Sequence, residues 1–408
     1  MALIYVFLFA APQVLLFLYL RERLPDPARP RLARAVRWGL ALVFVVFNFQ
    51  WLLIARRIVT GSAASIGAVP LLAPWIAFQL LGWVFLGLVS LYVLAKGIRA
   101  AVPALRALLR RGEPRVPTAP ETPLSRRRFL ARATYAYAAA GAALSAYGIA
   151  SAYQLPEVTR RALFFPELPP GLDGLTILHL SDLHAGLHME EDKMQEVAAL
   201  ANRLKPELIL QTGDMIDYDP RYIPRFVRAF RDLSAPLGVV TVFGNHDYYT
   251  GETLVARGVR DAGEVFIKDG VHVVSRGGAE LALLGIDDPH NWRTDDPQTE
   301  AVDASLSAAP GNLFRILLAH RPGAFDTARV RGIPLTLAGH IHGGQIYLPV
   351  VGISAGSLIT KYVMGHFVRN GSQLYVSRGI GVVGVPIRIF CPPEIELFTL
   401  RRGPLPAA

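Results

Sequence analysis

Five times between residues 175 and 342, a short apolar run stops on side chains that bind cations or move protons. The runs are "LTILHLS" (175–181), "ELILQTG" (207–213), "LGVVTVFG" (237–244), "FRILLAH" (314–320) and "PLTLAGHIH" (334–342). Each has the length and the Leu, Ile and Val content of a buried strand. Amphipathic stretches near 190–204 and 221–233 read as helices between the first three. Strand, helix and strand at this spacing predict right-handed βαβ crossovers and a parallel sheet core. In such a sheet the loops after the strand C-termini gather along one edge, and that edge is where ligands bind.

The residues delivered to that edge are Asp182 and His184, then Asp214, then Asn245, His246 and Asp247, then His320, and last His340 and His342. A mixed set of carboxylates, imidazoles and an amide, with no thiolate, suits borderline divalent ions such as Mn²⁺, Fe²⁺ or Zn²⁺ better than Mg²⁺ or Ca²⁺. There are enough donors for two ions, and one Asp can bridge them. Gly213, Gly244 and Gly339 precede ligand-bearing residues and permit tight turns and close backbone approach. A lone histidine at a strand end is more often a hydrogen-bonded structural residue. His179, His188, His272, His290 and His366 keep that reading, with His188 and Asp217 near enough in sequence to support the edge from behind.

The ordered set D-x-H, G-D, G-N-H-D, H and G-H-x-H resembles the calcineurin-like metallophosphoesterase superfamily over about 230 residues, with every element of its motif present. The segment "SRGIGVVGVPIRIFCPPEIELFTL" (377–400), with the apolar N-terminal region, looks like its bacterial membrane-associated branch, which is linked with the UDP-2,3-diacylglucosamine pyrophosphatases of lipid A synthesis. The resemblance implies an α/β four-layer sandwich, two mixed sheets flanked by helices, and two divalent cations (Mn²⁺, Fe²⁺ or Zn²⁺). It implies that Asp182, His184 and His342 hold the first cation, that Asp214 bridges, and that Asn245, His320 and His340 complete the second. His246 would act on the leaving oxygen, oriented by Asp247.

The first 154 residues are of another kind. Residues 2–20, 38–55 and 69–95 contain no charge, and each is long enough to cross a bilayer; 133–153, uncharged and Ala-rich, is a fourth candidate. A mean hydropathy of +0.34 and 52% hydrophobic residues agree with such a region. Residues 1–154 hold 18 Lys and Arg against 4 Asp and Glu, and residues 155–408 hold 24 against 28. The overall charge of +10 therefore lies between the apolar segments, where it sets topology, and nucleic-acid binding loses its support. Six Arg in 21–37 and ten Lys and Arg in 96–132 mark cytoplasmic loops. The segment "SRRRFLAR" (125–132) resembles a twin-arginine export signal and gives the same sidedness.

The expected organisation is a membrane region over 1–154, with three to four transmembrane helices, and a catalytic domain over 155–408 on the extracytoplasmic face of the cytoplasmic membrane. The spans themselves offer nothing more polar than Asn48, Gln50 and Gln79, which argues against a transporter. Cys391, the single cysteine, excludes an internal disulfide and a cysteine zinc site. The expected substrate is a phosphorylated small molecule or lipid; a non-catalytic module that binds a head group or a partner on the same fold is the alternative. Tyr248 and Tyr249 are candidates to line a cleft. Residues 354–373 read as hairpins covering the second sheet, with a lid or a surface for a lipid-like substrate as the alternative, and Lys361, Arg369 and Arg378 as cations placed to meet further phosphates.

Overall fold

The computed structural model describes residues 143–406, apart from 289–293 and 351. The candidate spans at 2–20, 38–55 and 69–95, the twin-arginine-like segment and the first part of 133–153, residues 133–142, lie outside the described residues. Among those described, no helix is long and apolar enough to cross a membrane. A helix over 143–153 leads into a compact unit that runs from Ser145 to Ala408.

The runs ending on polar residues form strands β2 (Thr176–Leu180), β3 (Leu208–Thr212), β4 (Val239–Val242), β8 (Phe314–Leu318) and β9 (Leu335–Ala338). They fall into two six-stranded sheets. The first has the order β1-β14-β2-β3-β4-β5, with β1 (Glu157–Phe165), β5 (Val265–Phe266) and β14 (Glu394–Arg402) added. Its β2 to β5 are parallel, as the crossover rule requires, while β14 enters antiparallel to β2 and takes β1 as a parallel neighbour. The second sheet has the order β12-β13-β9-β8-β7-β6, completed by β6 (Gly270–Arg276), β7 (Ala279–Gly285), β12 (Gly365–Arg369) and β13 (Ser372–Val376). Its β7, β8, β9 and β13 are parallel, with antiparallel strands on both edges.

Strand alternation builds the layers. On β2, Ile177 faces the other sheet, where it joins Leu208, Leu210, Val240, Val242, Leu283, Ile316, Leu318, Leu335 and Phe398 in one buried cluster. Leu178 and Leu180 face the opposite way, onto Met194 and Val197 of α1 (Glu191–Arg203), Phe226 and Phe230 of α2 (Ile223–Phe230), and Val255 and Val259 of α4 (Glu252–Asp261). Leu284 and Leu317 do the same on the second sheet, against Val302 of α5 (Thr299–Ala308) and Ala328 of α6 (Phe325–Val330). The order helix, sheet, sheet, helix is a four-layer sandwich, and burial on both faces explains why the parallel strands are continuously apolar.

Residues 354–373 differ in part from expectation. The β12–β13 hairpin extends the edge of the second sheet instead of covering it, and Ser354 belongs to a small antiparallel pair, β10 (Tyr347–Leu348) with β11 (Ile353–Ser354).

Candidate metal centre

Neighbouring strands bring the polar ends together. The loop after β2 continues as a partner of the loop after β3: Asp182 N donates to Gly213 O, His184 N to Asp214 O and Ala185 N to Met215 O, at 2.8 to 3.0 Å. His320, after β8, donates from Nδ1 to Thr212 O at 2.7 Å and ties the second sheet to the first. His340 N, after β9, donates to Asp182 Oδ1 at 2.9 Å. Asn245 and His246 open the short helix α3 (Asn245–Thr250) after β4. Two approaches depend on glycine: a Cβ on Gly339 would stand 2.2 Å from Asp182 Oδ2, and one on Gly244 would stand 2.2 Å from Asp214 Oδ1.

Of three groups of candidate ligand atoms among the described residues, one is His184, Asp217 and His246, and two hold the expected ligands. Asp182, His184 and His342 form one; Asp214, His320 and His340 form the other, each set lying within 4.8 Å. Asp214 Oδ2 sits between them, 3.1 Å from His320 Nε2 and 3.4 Å from His184 Nε2. Five of these residues, Asp182, His184, Asp214, His340 and His342, have φ between 50° and 73°. Non-glycine residues adopt that left-handed conformation at a cost on the order of 1 kcal/mol, and such strain collects where function requires a particular side-chain direction.

The donor chemistry fits divalent cations. With His320 Nδ1 committed to Thr212 O, its Nε2 faces the Asp214 carboxylate and, at 3.1 Å, another imidazole nitrogen, His340 Nδ1. The Nε2 atoms of His184 and His342 face each other at 3.0 Å. Imidazole nitrogens this close hold either a shared proton or a bound cation between them. Asn245 Oδ1 is buried without a hydrogen-bond partner, as an oxygen reserved for a ligand would be. The titration behaviour agrees. Burial opposes charge on His320, yet the Asp214 and Asp182 carboxylates overcome it and push its pKa up to about 10, so the pocket calls for a cation. Burial, with the neighbouring His320 and His184, holds His340 and His342 well below the usual imidazole range, in the neutral form that ligates metals. Burial pushes Asp182 up, whereas for Asp214 the surrounding imidazoles outweigh burial and hold it down.

His246 stands beside the two groups, its Nδ1 3.0 Å from both the carbonyl and Oδ1 of Asp217. Burial disfavours the imidazolium, but Asp217 and Asp214 prevail and raise its pKa. Asp217 is itself held at about 2, since contacts with His184 and His246 outweigh its partial burial. The expected role of Asp247 is therefore corrected. Its carboxylate accepts backbone N–H groups from Gly244, Asp214, Met215 and Ile216 at 2.8 to 3.1 Å, clamping the loops after β3 and β4, and it does not orient His246. Burial and the Asp214 charge push Asp247 up, and the N–H groups pull it back toward the ionised form.

Other residues singled out from the sequence have partners of their own. Lys361 is paired with Asp326, and Arg378 with Glu394 and Glu157. Arg369 donates to the Val368 carbonyl on the sheet edge. His188 bonds Tyr153. His179 is a buried structural residue, bonded to Thr212 Oγ1 and close to Glu396. Tyr248 bonds Asp287. Tyr249 stacks on the exposed Tyr218, and both flank His246, with ring centroids 5.3 and 4.5 Å away.

Sequence reasoning missed Tyr218 and the fully buried Arg388, which bonds the carbonyls of Gly379, Gly381 and Cys391 and lies 3.4 Å from His342 Nδ1. No local signal marks either. It also missed Ser181, whose hydroxyl donates to Asp182 Oδ2 at 2.6 Å while accepting from Thr212.

The sequence profile of the calcineurin-like phosphoesterases matches residues 175–344, from the start of the first polar-ended run to just beyond His342. An uncharacterized metallophosphoesterase of Bacillus subtilis, YkuE, is 32% identical over 291 residues, 68% of this chain and 98% of YkuE. The chain belongs to the calcineurin-like phosphoesterase family. Two further members are similar to it. Phosphodiesterase YaeI of Escherichia coli is 28% identical over 285 residues, 68% of this chain and 99% of YaeI. A zebrafish transmembrane protein with a metallophosphoesterase domain is 30% identical over 272 residues, 64% of this chain and 61% of that protein. As a calcineurin-like phosphoesterase, this protein is a metal-dependent phosphoric ester hydrolase with the family's mixed-sheet α/β fold.

Proposed function

We propose that this protein is a membrane-anchored phosphoesterase that holds two divalent cations and hydrolyses phosphate ester or pyrophosphate bonds of a lipid-linked or sugar-nucleotide substrate on the extracytoplasmic face. The observation that carries the reading is Asp214 Oδ2, within 3.4 Å of an imidazole from each of two ligand groups, with a charge-supported His246 beside them. Asp182, His184 and His342 would hold one cation, Asn245, His320 and His340 the other, and Asp214 both. When bound, the cations supply Lewis acidity and charge neutralisation at the phosphoryl group. The chain supplies the rest. Asp217 fixes the His246 ring and favours its protonated form, so that Nε2 gives a proton to the departing oxygen. Ser181 and the His340 N–H hold the Asp182 carboxylate in place. Tyr218 and Tyr249 form an aromatic wall beside His246, against which the substrate's leaving part lies.

The uncharged segments and the charge asymmetry of the first 154 residues support the anchor. UDP-2,3-diacylglucosamine represents the substrate type, although a catalytic domain outside the cytoplasm faces away from the pool of that nucleotide and favours a phosphorylated lipid. The test is hydrolysis of bis(p-nitrophenyl) phosphate by the purified full chain with Mn²⁺. Activity is expected to disappear with a chelator, return with the metal, and be lost in Asp214→Asn and His246→Ala. Undiminished turnover in both variants would refute the mechanism. Alkaline phosphatase fused to the C-terminus is expected to be active; an inactive fusion reverses the sidedness.

A further inference from the structure

The helix over 143–153 carries no charge, and of residues 145–150 only Gly148 is buried. Segment 385–390, "VPIRIF", lies along it. Arg388 N donates to Gly148 O at 2.9 Å, and the Tyr147 and Phe390 rings meet at 5.4 Å. Gly148 permits the approach, since a Cβ there would stand 2.8 Å from Ile387 and 3.0 Å from Ile389. Near the other end of the helix Tyr153 bonds His188, and Leu187 stands next to that histidine. The outer surface is apolar yet open: Leu187 is 73% exposed, Val385 63%, Phe390 46%, Ile149 46% and Tyr147 43%. Neighbouring exposed apolar side chains of this kind mark contact with a partner or a membrane.

The same segment is rooted in the metal centre. Gly381 N donates to Asp182 O at 2.7 Å, and Ile380 N to Ser181 O at 3.0 Å. The buried Arg388 guanidinium binds the carbonyls of Gly379 and Gly381, while the neighbouring side chains Ile387 and Ile389 pack on the helix. Apolar rim and ligand loop are thus two faces of one stretch of chain.

We propose that this rim, Tyr147, Ile149, Val385 and Phe390 with Leu187, rests in the head-group and acyl boundary of a lipid bilayer, so that the metal centre takes a phosphorylated head group from a lipid still in the membrane. The inference rests on the membrane anchor proposed above. A bilayer is the occupant that the chain argues for. Residues 1–95 contain three uncharged stretches long enough to span one, and beyond the basic loop over 96–132 the fourth uncharged candidate, 133–153, runs into this helix without a charged residue. Tyr147 and Tyr153, each an apolar ring with a polar tip, are of the type that collects at membrane interfaces.

The test uses the full chain in phosphatidylethanolamine and phosphatidylglycerol nanodiscs, with nitroxide labels at Val385→Cys and Phe390→Cys and, as a reference on α6, at the exposed Val330→Cys. Cys391 is buried, and the unsubstituted chain measures its background labelling. At 385 and 390 the ratio of collisions with oxygen to collisions with a water-soluble nickel chelate is expected to rise several fold over that at 330. A ratio equal to that at 330, with the chain still in the nanodisc, overturns this proposal and leaves the anchor standing. Exclusion of both probes means that protein covers the rim, and also overturns it. A chain that stays in solution without nanodiscs or detergent overturns the anchor and the rim together.

Discussion

Gly244→Ala tests whether the close packing of the loops after β3 and β4 is what places the central carboxylate. Gly244 has φ −109° and ψ 179°, extended backbone that alanine adopts freely, so the only consequence is steric. The new methyl would stand 2.2 Å from Asp214 Oδ1, 2.7 Å from Asp214 N and 2.8 Å from its Cγ. The first contact is 0.8 Å inside the 3.0 Å that real Cβ atoms essentially never cross. Asp214 cannot rotate away cheaply, because Oδ1 also accepts the His246 N–H at 2.8 Å and Oδ2 lies among the ligand imidazoles. Relief therefore comes from moving the carboxylate or parting the two loops by about 1 Å, a misplacement that costs about 100-fold in catalysis. Overpacking of this kind costs about 1–3 kcal/mol of stability, which leaves a domain of ordinary stability folded. The assays are kcat/KM on bis(p-nitrophenyl) phosphate, metal content by mass spectrometry and a thermal melt. The expected result is a folded protein with kcat/KM lowered about 100-fold and a reduced metal content. A variant with wild-type kcat/KM and wild-type metal content would show that Asp214 tolerates displacement and refute the reasoning.

Asp217→Asn keeps the size of the residue that holds His246 but removes its charge. It is expected to lower kcat about 10- to 100-fold with KM and metal content little changed; a KM effect alone would mean that Asp217 serves binding. Asp247→Asn should act on the fold instead. Loss of the charged acceptor for four backbone N–H groups is expected to cost about 2–3 kcal/mol in urea melts, and an unchanged melt would contradict the clamp. Glu264 is fully buried, accepts from Thr241, and is pushed by burial from 4.5 up to about 7. A pKa raised on folding means that the native state holds the proton longer. Its contribution is complete below pH 4.5 and is lost as pH rises to about 7, on the order of 3 kcal/mol in all. Glu264→Gln should remove that loss, so urea melts at pH 5 and pH 8 are expected to differ less than in the wild type; parallel pH curves for the two proteins would refute this.

The convergence of the candidate ligands is legible in the sequence because each follows the end of a buried strand, and such ends are marked within a few residues by an apolar run, a polar residue and often a glycine. Parallel topology then sends those ends to one edge whatever the details. Hence Asp182, His184, Asp214, Asn245, His246, His320, His340 and His342 were recognisable as a group, and so was the structural place of His179. The left-handed backbone at five of them was not legible. Asp and His carry a Cβ and give no sign of positive φ as a glycine does.

Other features depend on which distant segments meet. Strand β14 enters between β1 and β2, pairing Glu157 with Glu394 across more than half of the described chain. That insertion brings segment 377–391 under the ligand loop, and with it the buried Arg388. The choice between Asp247 and Asp217 as the partner of His246 was settled in the same way. Asp247 is adjacent in sequence, but the start of helix α3 turns its carboxylate back onto the β3 loop, while that same loop, one residue past Ile216, carries Asp217 to the imidazole. Periodicity and turn chemistry act over a few residues and can be read along a chain. A side chain's partner depends on where several loops converge, and that convergence exists only in the folded protein.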